Sequence, residues 1–237
     1  MEDYIKYRPH YPSEIIEVLH RVIDLNPTKI IADIGSGTGI SSEMFLKNGN
    51  FVYGIEPNKE MREAQELLLS NYNKSESIEG TAENTNLQSS SVDIIVCAQS
   101  FHWFDKDLFK KEIQRILKPT GNVVLIWNSR STNTPFSNEY EETLKNNIPA
   151  YQNSNHREIK DDDIVDFFSP RTMKTYELKN YQEFNLDGLK GRLMSSSYCP
   201  KQGGEYEKLM EAINQLFQNY QSNGIVTFEY DTQMYWV

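Results

Sequence analysis

Apolar and polar positions switch between two periods along the first half of the chain. Behind Pro12-Ser13, apolar residues at 15, 16, 19, 22 and 23 recur at helical spacing, which predicts an amphipathic helix capped by Ser13 and ending before Asn26-Pro27. Lys29-Ile30-Ile31-Ala32-Asp33-Ile34 reads as a buried strand stopped by Gly35-Ser36-Gly37-Thr38-Gly39. Met44, Phe45 and Leu46 restore helical spacing with Gly49 beyond them, and Phe51-Val52-Tyr53-Gly54-Ile55 is strand again. Asn58 is placed to cap a helix through Met61, Ala64, Leu67 and Leu68, after which Ser75 to Ile78 is a weak strand and Val92 to Ala98 a strong one. Asp105 or Asp107 opens a helix ending at Leu117-Lys118-Pro119, and the turn Thr120-Gly121 leads into the apolar run Asn122 to Trp127. Strands that are apolar throughout suit a parallel sheet covered on both faces, and their alternation with helices predicts an α/β fold with a doubly wound, mostly parallel sheet.

Beyond Asn128 the pattern changes. Asn, Ser, Thr and Pro dominate residues 128 to 155, with short helical signals at 137 to 147 and 161 to 168. Met173, Tyr176 and Leu178 alternate as in a strand, residues 186 to 197 and 205 to 220 read as helices, and Ile225 to Tyr230 with Met234-Tyr235-Trp236 reads as an antiparallel terminal strand or hairpin. The expectation is one domain over 1–237. An amino-terminal lid and helix (1–28) precedes a ligand-binding core (29–127), and residues 128–170 and 185–222 form a small helical cap insertion.

Composition narrows the choice of ligand. The chain has 237 residues, 24 Lys+Arg against 34 Asp+Glu and a net charge of -10. No basic block exceeds the pair Lys110-Lys111, which argues against a nucleic-acid partner, because affinity for phosphate backbones depends on clustered cations. Apolar runs such as Ile94 to Ala98 are too short to cross a bilayer, and Met1-Glu2-Asp3-Tyr4-Ile5-Lys6 shows no hydrophobic signal region, so a cytoplasmic protein without a membrane partner is expected. Cys97 and Cys199 stand 102 residues apart with no ligand cluster beside them, which points to neither a disulfide framework nor a zinc site. A small molecule is the expected ligand, for a monomer or a homodimer.

Asp33-Ile34-Gly35-Ser36-Gly37-Thr38-Gly39 lies where a strand gives way to a helix, the place where a doubly wound sheet binds ligands. Its G-x-G-x-G spacing differs from the G-x-G-x-x-G that aims a helix amino terminus at a pyrophosphate, so a ligand without phosphates fits better. Glu56 ends the next strand, 21 residues after Gly35, where a carboxylate can accept both hydroxyls of a ribose. A glycine turn alone is an ordinary strand-to-helix turn, and a carboxylate alone is usually solvated. Together at this spacing they imply a nucleoside.

Ile31 to Gly39 resembles the glycine-rich first motif of class I S-adenosylmethionine-dependent methyltransferases, which have a Rossmann-like fold. Three further stretches are similar to later motifs of that family, in order: Gly54-Ile55-Glu56-Pro57-Asn58-Lys59-Glu60-Met61, then Gly80-Thr81-Ala82-Glu83, then Arg115-Ile116-Leu117-Lys118-Pro119-Thr120-Gly121. Thr120 stands where that last motif usually has a second glycine. The resemblance implies S-adenosyl-L-methionine as cofactor. Asp33, Gly35, Ser36, Gly37 and Gly39 would line its methionine part, and Glu56 and Pro57 would hold the ribose. Met61 and Ala82 would flank the adenine, Glu83 would accept from its amine, and Gln99 and Ser100 would border the sulfonium. Tyr7-Arg8-Pro9-His10-Tyr11-Pro12 and Gln99-Ser100-Phe101-His102-Trp103-Phe104 are similar to the branch that includes trans-aconitate and quinone-pathway methyltransferases. In that branch Tyr11 and Arg8 would fold over the cofactor, whereas two prolines could equally make a surface turn with Tyr11 packed on the sheet.

The activity implied is methyl transfer to a small-molecule acceptor, a carboxylic acid of the trans-aconitate kind among them. Positioning alone can supply about 7–11 kcal/mol of the barrier, whereas a general base adds about 3–5 kcal/mol, so a base is optional. His102 is the candidate base, and a histidine that only packs beneath the cofactor is the bland alternative. Trp103 and Phe101 could wall an acceptor pocket or be core, with Trp103 favoured for the pocket and Phe104 for the core, and Tyr198 is a further candidate for substrate binding. Arg192, Arg130 or Arg8 could pair with an acid, with no choice among them. The run Asp161-Asp162-Asp163 sends its carboxylates in different directions and reads as a helix-terminus charge effect, so no metal is expected. Two other classes compete: a nicotinamide-dependent oxidoreductase, disfavoured by the glycine spacing, and a methyltransferase-like module that binds the cofactor, or nothing, and acts through a partner.

Overall fold

The computed structural model describes residues 7–153, 161–196 and 198–237. Residues 1–6 of the expected lid and 154–160 of the expected cap lie outside them.

Seven strands form one sheet in the order β3-β2-β1-β4-β5-β7-β6. They are β1 (Ile30–Ile34), β2 (Phe51–Ile55), β3 (Ser75–Ile78), β4 (Val92–Ala98), β5 (Leu117–Arg130), β6 (Lys174–Phe184) and β7 (Val226–Trp236). The helices are α1 (Glu14–Ile23), α2 (Ile40–Lys47), α3 (Lys59–Leu68), α4 (Lys106–Ile116), α5 (Pro135–Asn147), α6 (Asp161–Phe168), α7 (Leu186–Met194) and α8 (Gly204–Tyr220). The first five strands run parallel. β7 runs antiparallel to β5, because Val123 and Val237 exchange N–H···O bonds at 3.3 and 3.2 Å, the mark of an antiparallel pair. Among the described residues, no helix is long and apolar enough to cross a membrane.

Two expectations change. Ser13 does not cap α1: its own backbone is already helical (φ −60°, ψ −26°), so its hydroxyl turns to Glu14 Oε2 at 3.2 Å instead of reaching the first-turn amides. The turn at Thr120-Gly121 is an excursion inside β5. Val92 faces Leu117 and Ile94 faces Asn122, so the extra residues loop out between them, and a Cβ at Gly121 would lie 2.5 Å from Leu117 Cδ1. Of the two readings left open for the carboxyl-terminal segment the single strand holds, since Asp231, Thr232 and Gln233 continue the alternation of buried and half-buried positions. Asn58 and Asp105 do cap their helices, Asn58 through Met61 N–H at 3.0 Å and Asp105 through Asp107 N–H and Leu108 N–H.

The described residues gather into two compact units. One comprises residues 10–128, 161–178 and 232–237; the other comprises 7–9, 129–153, 179–196 and 198–231. In the first, period-two alternation splits the apolar strands between two cores. Ala32, Ile34, Ile95, Cys97, Val123 and Leu125 join Phe109, Ile113 and Ile116 of α4 and Ile164, Phe167 and Phe168 of α6. Ile31, Ile94, Val96, Val124 and Ile126 join Ile15, Val18 and Leu19 of α1 and Phe45 and Leu46 of α2. In the second unit, Tyr140 and Leu144 of α5, Leu189 and Leu193 of α7 and Leu209, Ile213, Leu216 and Phe217 of α8 pack on Val226, Phe228 and Tyr230.

Candidate functional site

Register fixes the site in the larger unit. Ile34 of β1 lies opposite Ile55 of β2, and Asp33 opposite Val96 of β4, so three strands end close together at their carboxyl edge. The glycine turn after β1 folds back on β2: the N–H groups of Gly35 and Ser36 both donate to the Ile55 carbonyl, at 2.8 and 3.1 Å. Gly35, Gly37 and Gly39 all have positive φ (71°, 57° and 87°). The flanking two are also sterically obliged, since a Cβ at Gly35 would lie 2.6 Å from Ser100 Cβ, and one at Gly39 would lie 2.9 Å from Gln65 Cγ. A Cβ at Gly37 would meet nothing within 4 Å, so the middle of the turn is the part open to a ligand.

Glu56 is buried, and each carboxylate oxygen accepts one backbone N–H: Oε2 from Gly37 at 3.0 Å, Oε1 from Asn58 at 2.9 Å. An ionised carboxylate has about four acceptor positions, so the anchored group keeps capacity for two hydroxyls. Arg62 Nη1 clamps the same turn by donating to the carbonyls of Glu56 and Pro57, at 2.9 and 2.8 Å. Pro57 is exposed, and Met61 is half-buried in the first turn of α3.

Asp33 is fully buried. Its Oδ2 accepts from Ser41 Oγ at 2.6 Å and Ser42 Oγ at 2.7 Å, while Oδ1 has no protein partner. Burial pushes its carboxyl from an ordinary 3.8 up to about 6, against the pull of the two serine hydroxyls. Thr38 Oγ1, in the glycine turn itself, is likewise buried without a protein partner. Buried polar atoms left open in this way are what a bound polar ligand or water satisfies. Ser36 donates its hydroxyl to Gln65 Oε1 at 2.6 Å and so braces the turn from α3.

Ala82 is buried, and the half-buried Glu83 accepts the Asp105 N–H at 2.8 Å. The loop carrying both is pinned by a network that the sequence did not announce. Thr85 donates its N–H (2.9 Å) and hydroxyl (2.6 Å) to Glu112 Oε1, and Arg115 pairs with the same carboxylate at 2.6 Å. Burial alone would raise the Glu112 carboxyl, but hydrogen bonds from Arg115 and Thr85 outweigh it and hold the group near 2. Gln65 was also missed. The only signal for it was Gly54, whose absent Cβ would stand 2.0 Å from Gln65 Nε2.

Past β4, Gln99 adopts φ 56° and donates Nε2 to the Asn128 carbonyl at 2.9 Å, while Ser100 Oγ donates to the Ile34 carbonyl at 2.6 Å. Phe101, His102 and Trp103 form a single 3-10 turn. Phe101 is core, and the half-buried Phe104 packs edge-on against it with ring centroids 6.2 Å apart. His102 is half-buried with its ring 5.0 Å from that of Trp103, which is 66% exposed. Lys106 Nζ fastens this turn by donating to the carbonyls of Phe101 and Phe104. Tyr11 is half-buried against the α1 side of the sheet. Arg8, Arg192 and Tyr198 belong to the smaller unit, where the Tyr198 ring lies 5.1 Å from that of Tyr151.

Comparison with known proteins agrees with this geometry. Residues 32–125 match the family described as a methyltransferase domain. An uncharacterized methyltransferase of Schizosaccharomyces pombe is 31% identical over 144 residues, 60% of this chain and 56% of that protein. One of Mycobacterium tuberculosis is 30% identical over 141 residues, 60% and 55% of the two chains. The chain thus spans little more than half the length of these curated relatives. Among solved structures, YcgJ of Bacillus subtilis has a TM-score of 0.58 at 18% identity, covering 93% of this chain and 96% of that one. Geranyl diphosphate C-methyltransferase of Streptomyces coelicolor, solved with S-adenosyl-L-homocysteine, has a TM-score of 0.51 at 14% identity, covering 94% and 74%. The chain shares the fold of these solved structures, and residues 32–125 are similar to a methyltransferase domain.

Proposed function

We propose that this chain is an S-adenosylmethionine-dependent methyltransferase whose acceptor is a small molecule, a carboxylic acid of the trans-aconitate type. The observation that carries the reading is the turn Gly35–Gly39, open only at Gly37, with the anchored Glu56 beside it and the unpartnered Asp33 Oδ1 and Thr38 Oγ1 at its base. These groups fit the cofactor: a carboxylate with acceptor capacity for a ribose diol, and an anionic oxygen for an ammonium group.

In this reading the glycine turn and Asp33 hold the methionine part, Ser36 keeps the turn in shape through Gln65, and Glu56 with Pro57 takes the ribose. Met61 and Ala82 enclose the adenine, Glu83 accepts from its amine, and Gln99 and Ser100 border the reacting end. Tyr11 covers the cofactor. The bound cofactor supplies an electrophilic sulfonium methyl. A carboxylate acceptor is already an oxygen nucleophile at neutral pH, so the protein's work is to align it and exclude water, and His102 serves as base only for an acceptor that must lose a proton. Trp103 is the acceptor-side residue of the larger unit.

The test is a thermal-shift titration with S-adenosylhomocysteine, NAD and NADP in parallel, followed by an assay of S-adenosylhomocysteine release over a panel of small polycarboxylic acids, phenols and amines. Ligand at 100 times its dissociation constant adds about 2.7 kcal/mol, about 5–11 °C at this chain length. A shift with S-adenosylhomocysteine alone and turnover on an acid are expected. A shift with a nicotinamide only, or turnover confined to phenols or amines, would overturn the cofactor or the acceptor assignment respectively.

A further inference from the structure

Gln99 stands in left-handed backbone (φ 56°), a conformation that strains a residue with a Cβ and persists only where its surroundings hold it. Its side chain is exposed, so the strain does not serve to bury it in the core. Both holding bonds come from the end of β5: the Gln99 N–H donates to the Ile126 carbonyl at 2.9 Å, and Nε2 donates to the Asn128 carbonyl at 2.9 Å. The bend at Gln99 sets the next residue against the glycine turn. Ser100 Oγ donates to the Ile34 carbonyl at 2.6 Å, and Ser100 Cβ lies 2.6 Å from where a Cβ on Gly35 would stand.

Asn128 is the fixed point behind this bend. Val123 pairs with Val237, and the Ser131 N–H donates to the Glu229 carbonyl at 2.8 Å. The register common to both sets Asn128 of β5 opposite Thr232 of β7, at a pair without ladder bonds of its own, where facing side chains come closest. Thr232, fully buried, donates its hydroxyl to Asn128 Oδ1, and Asn128 Nδ2 donates to the His10 carbonyl at 3.3 Å. A carbonyl only accepts, so the His10 bond requires the amide nitrogen, and the Thr232 hydroxyl holds the amide in that orientation. Both Asn128 and Thr232 are buried, and water does not readily replace the bond between them. We propose that Asn128 is a positioning residue that couples the seat of the His10–Tyr11 segment to the bend at Gln99, so that cofactor binding on the glycine turn and ordering of that segment occur together. The inference rests on the reading that the turn Gly35–Gly39 binds S-adenosylmethionine. Asn128 acts through its partners and is assigned no contact with cofactor or acceptor.

The experiment compares the wild type, Asn128→Ala and Thr232→Val by hydrogen–deuterium exchange with and without saturating S-adenosylhomocysteine, and measures the dissociation rate of that ligand by stopped flow. In the wild type the ligand is expected to slow exchange both in the peptide carrying Gly35–Gly39 and in the peptide carrying His10 and Tyr11. In Asn128→Ala the glycine-turn peptide keeps its response, the His10–Tyr11 peptide loses it, and the ligand leaves about tenfold faster, the worth of one buried hydrogen bond. Thr232→Val, which removes only the hydroxyl that orients the amide, gives the same loss in smaller degree. A merely structural role would lower Tm and leave the two peptides responding together. Full retention of the His10–Tyr11 response in Asn128→Ala, or in Thr232→Val should the first variant not fold, overturns the coupling and leaves the cofactor reading intact. So does a wild type in which the ligand protects the glycine turn alone. No response of the glycine-turn peptide in the wild type overturns the cofactor reading and this inference with it.

Discussion

Replacing Asp33 by Asn tests whether the carboxyl beneath the glycine turn is held at a cost. The side chain is fully buried, Ser41 and Ser42 donate to one oxygen, and the other oxygen has no protein partner. Burial lifts its carboxyl from 3.8 to about 6. Between those values the folded chain holds a proton that the unfolded chain has released, so stability falls as pH rises, and the loss is complete above about pH 6. At 1.36 kcal/mol for each pH unit, the whole effect is about 3 kcal/mol. Asn keeps an oxygen for both serines, places its amide where the open oxygen was, and does not titrate. Urea unfolding of the cofactor-free proteins from pH 4 to pH 8 would measure it. The stability of Asp33→Asn relative to wild type is expected to rise by about 2 kcal/mol across pH 4 to 6.5 and then level, about 4–8 °C in Tm at this chain length. Groups common to both proteins cancel in the difference. A difference that stays flat with pH, or falls as pH rises, would refute the argument, because the carboxylate would then be as well solvated folded as unfolded. The variant is also expected to bind S-adenosylhomocysteine at least about tenfold more weakly at pH 8, since it removes the charge opposite the ligand's ammonium group.

Gly37→Ala places a Cβ on the open side of the turn at φ 57°, which costs about 1–2 kcal/mol in backbone strain, and the affinity for S-adenosylhomocysteine should fall further than Tm does. Gly39→Ala, whose Cβ would press on Gln65 Cγ at 2.9 Å, should instead lower Tm more than Gly37→Ala does, as a thermal melt of each would show. Glu112→Ala strands the Thr85 N–H and Arg115, and is expected to cost about 1–3 kcal/mol in urea unfolding. The stabilisation from that carboxyl is present above its ordinary 4.5 and is lost as pH falls through about 2, so the variant should lack this part of the wild type's acid-induced destabilisation. Trp103→Ala, at a side chain 66% exposed, should move Tm by no more than about 2 °C and leave S-adenosylhomocysteine binding intact; a larger loss of stability would contradict the exposed turn.

The half of the chain that carries the candidate site was legible in the sequence because its determinants are local. A glycine turn, its strand and the carboxylate at the next strand end are set by period and by backbone conformations that only glycine adopts easily, so residues 29–127 were readable in order. The candidates drawn from the rest of the chain were less so. Nothing local said that Ser36 would be taken by Gln65, because that contact depends on the missing side chain of Gly54 in a neighbouring strand. The loop carrying Ala82 and Glu83 is fixed through Glu112 and Arg115, which come from a later helix. Trp103 and Phe101 sit two positions apart in one motif, yet one is exposed and the other buried, because a 3-10 turn sends them to different sides.

The sequence by itself determined the alternation of strand and helix, the glycine turn and the acidic strand end, since each follows from spacing within a few residues. Tertiary structure alone decided that the carboxyl-terminal segment is a single strand rather than a hairpin, that Asp33 keeps an open oxygen in full burial, and that Arg130 is paired with Glu141. Burial and charge balance depend on which distant segments pack together, and no local pattern carries that information.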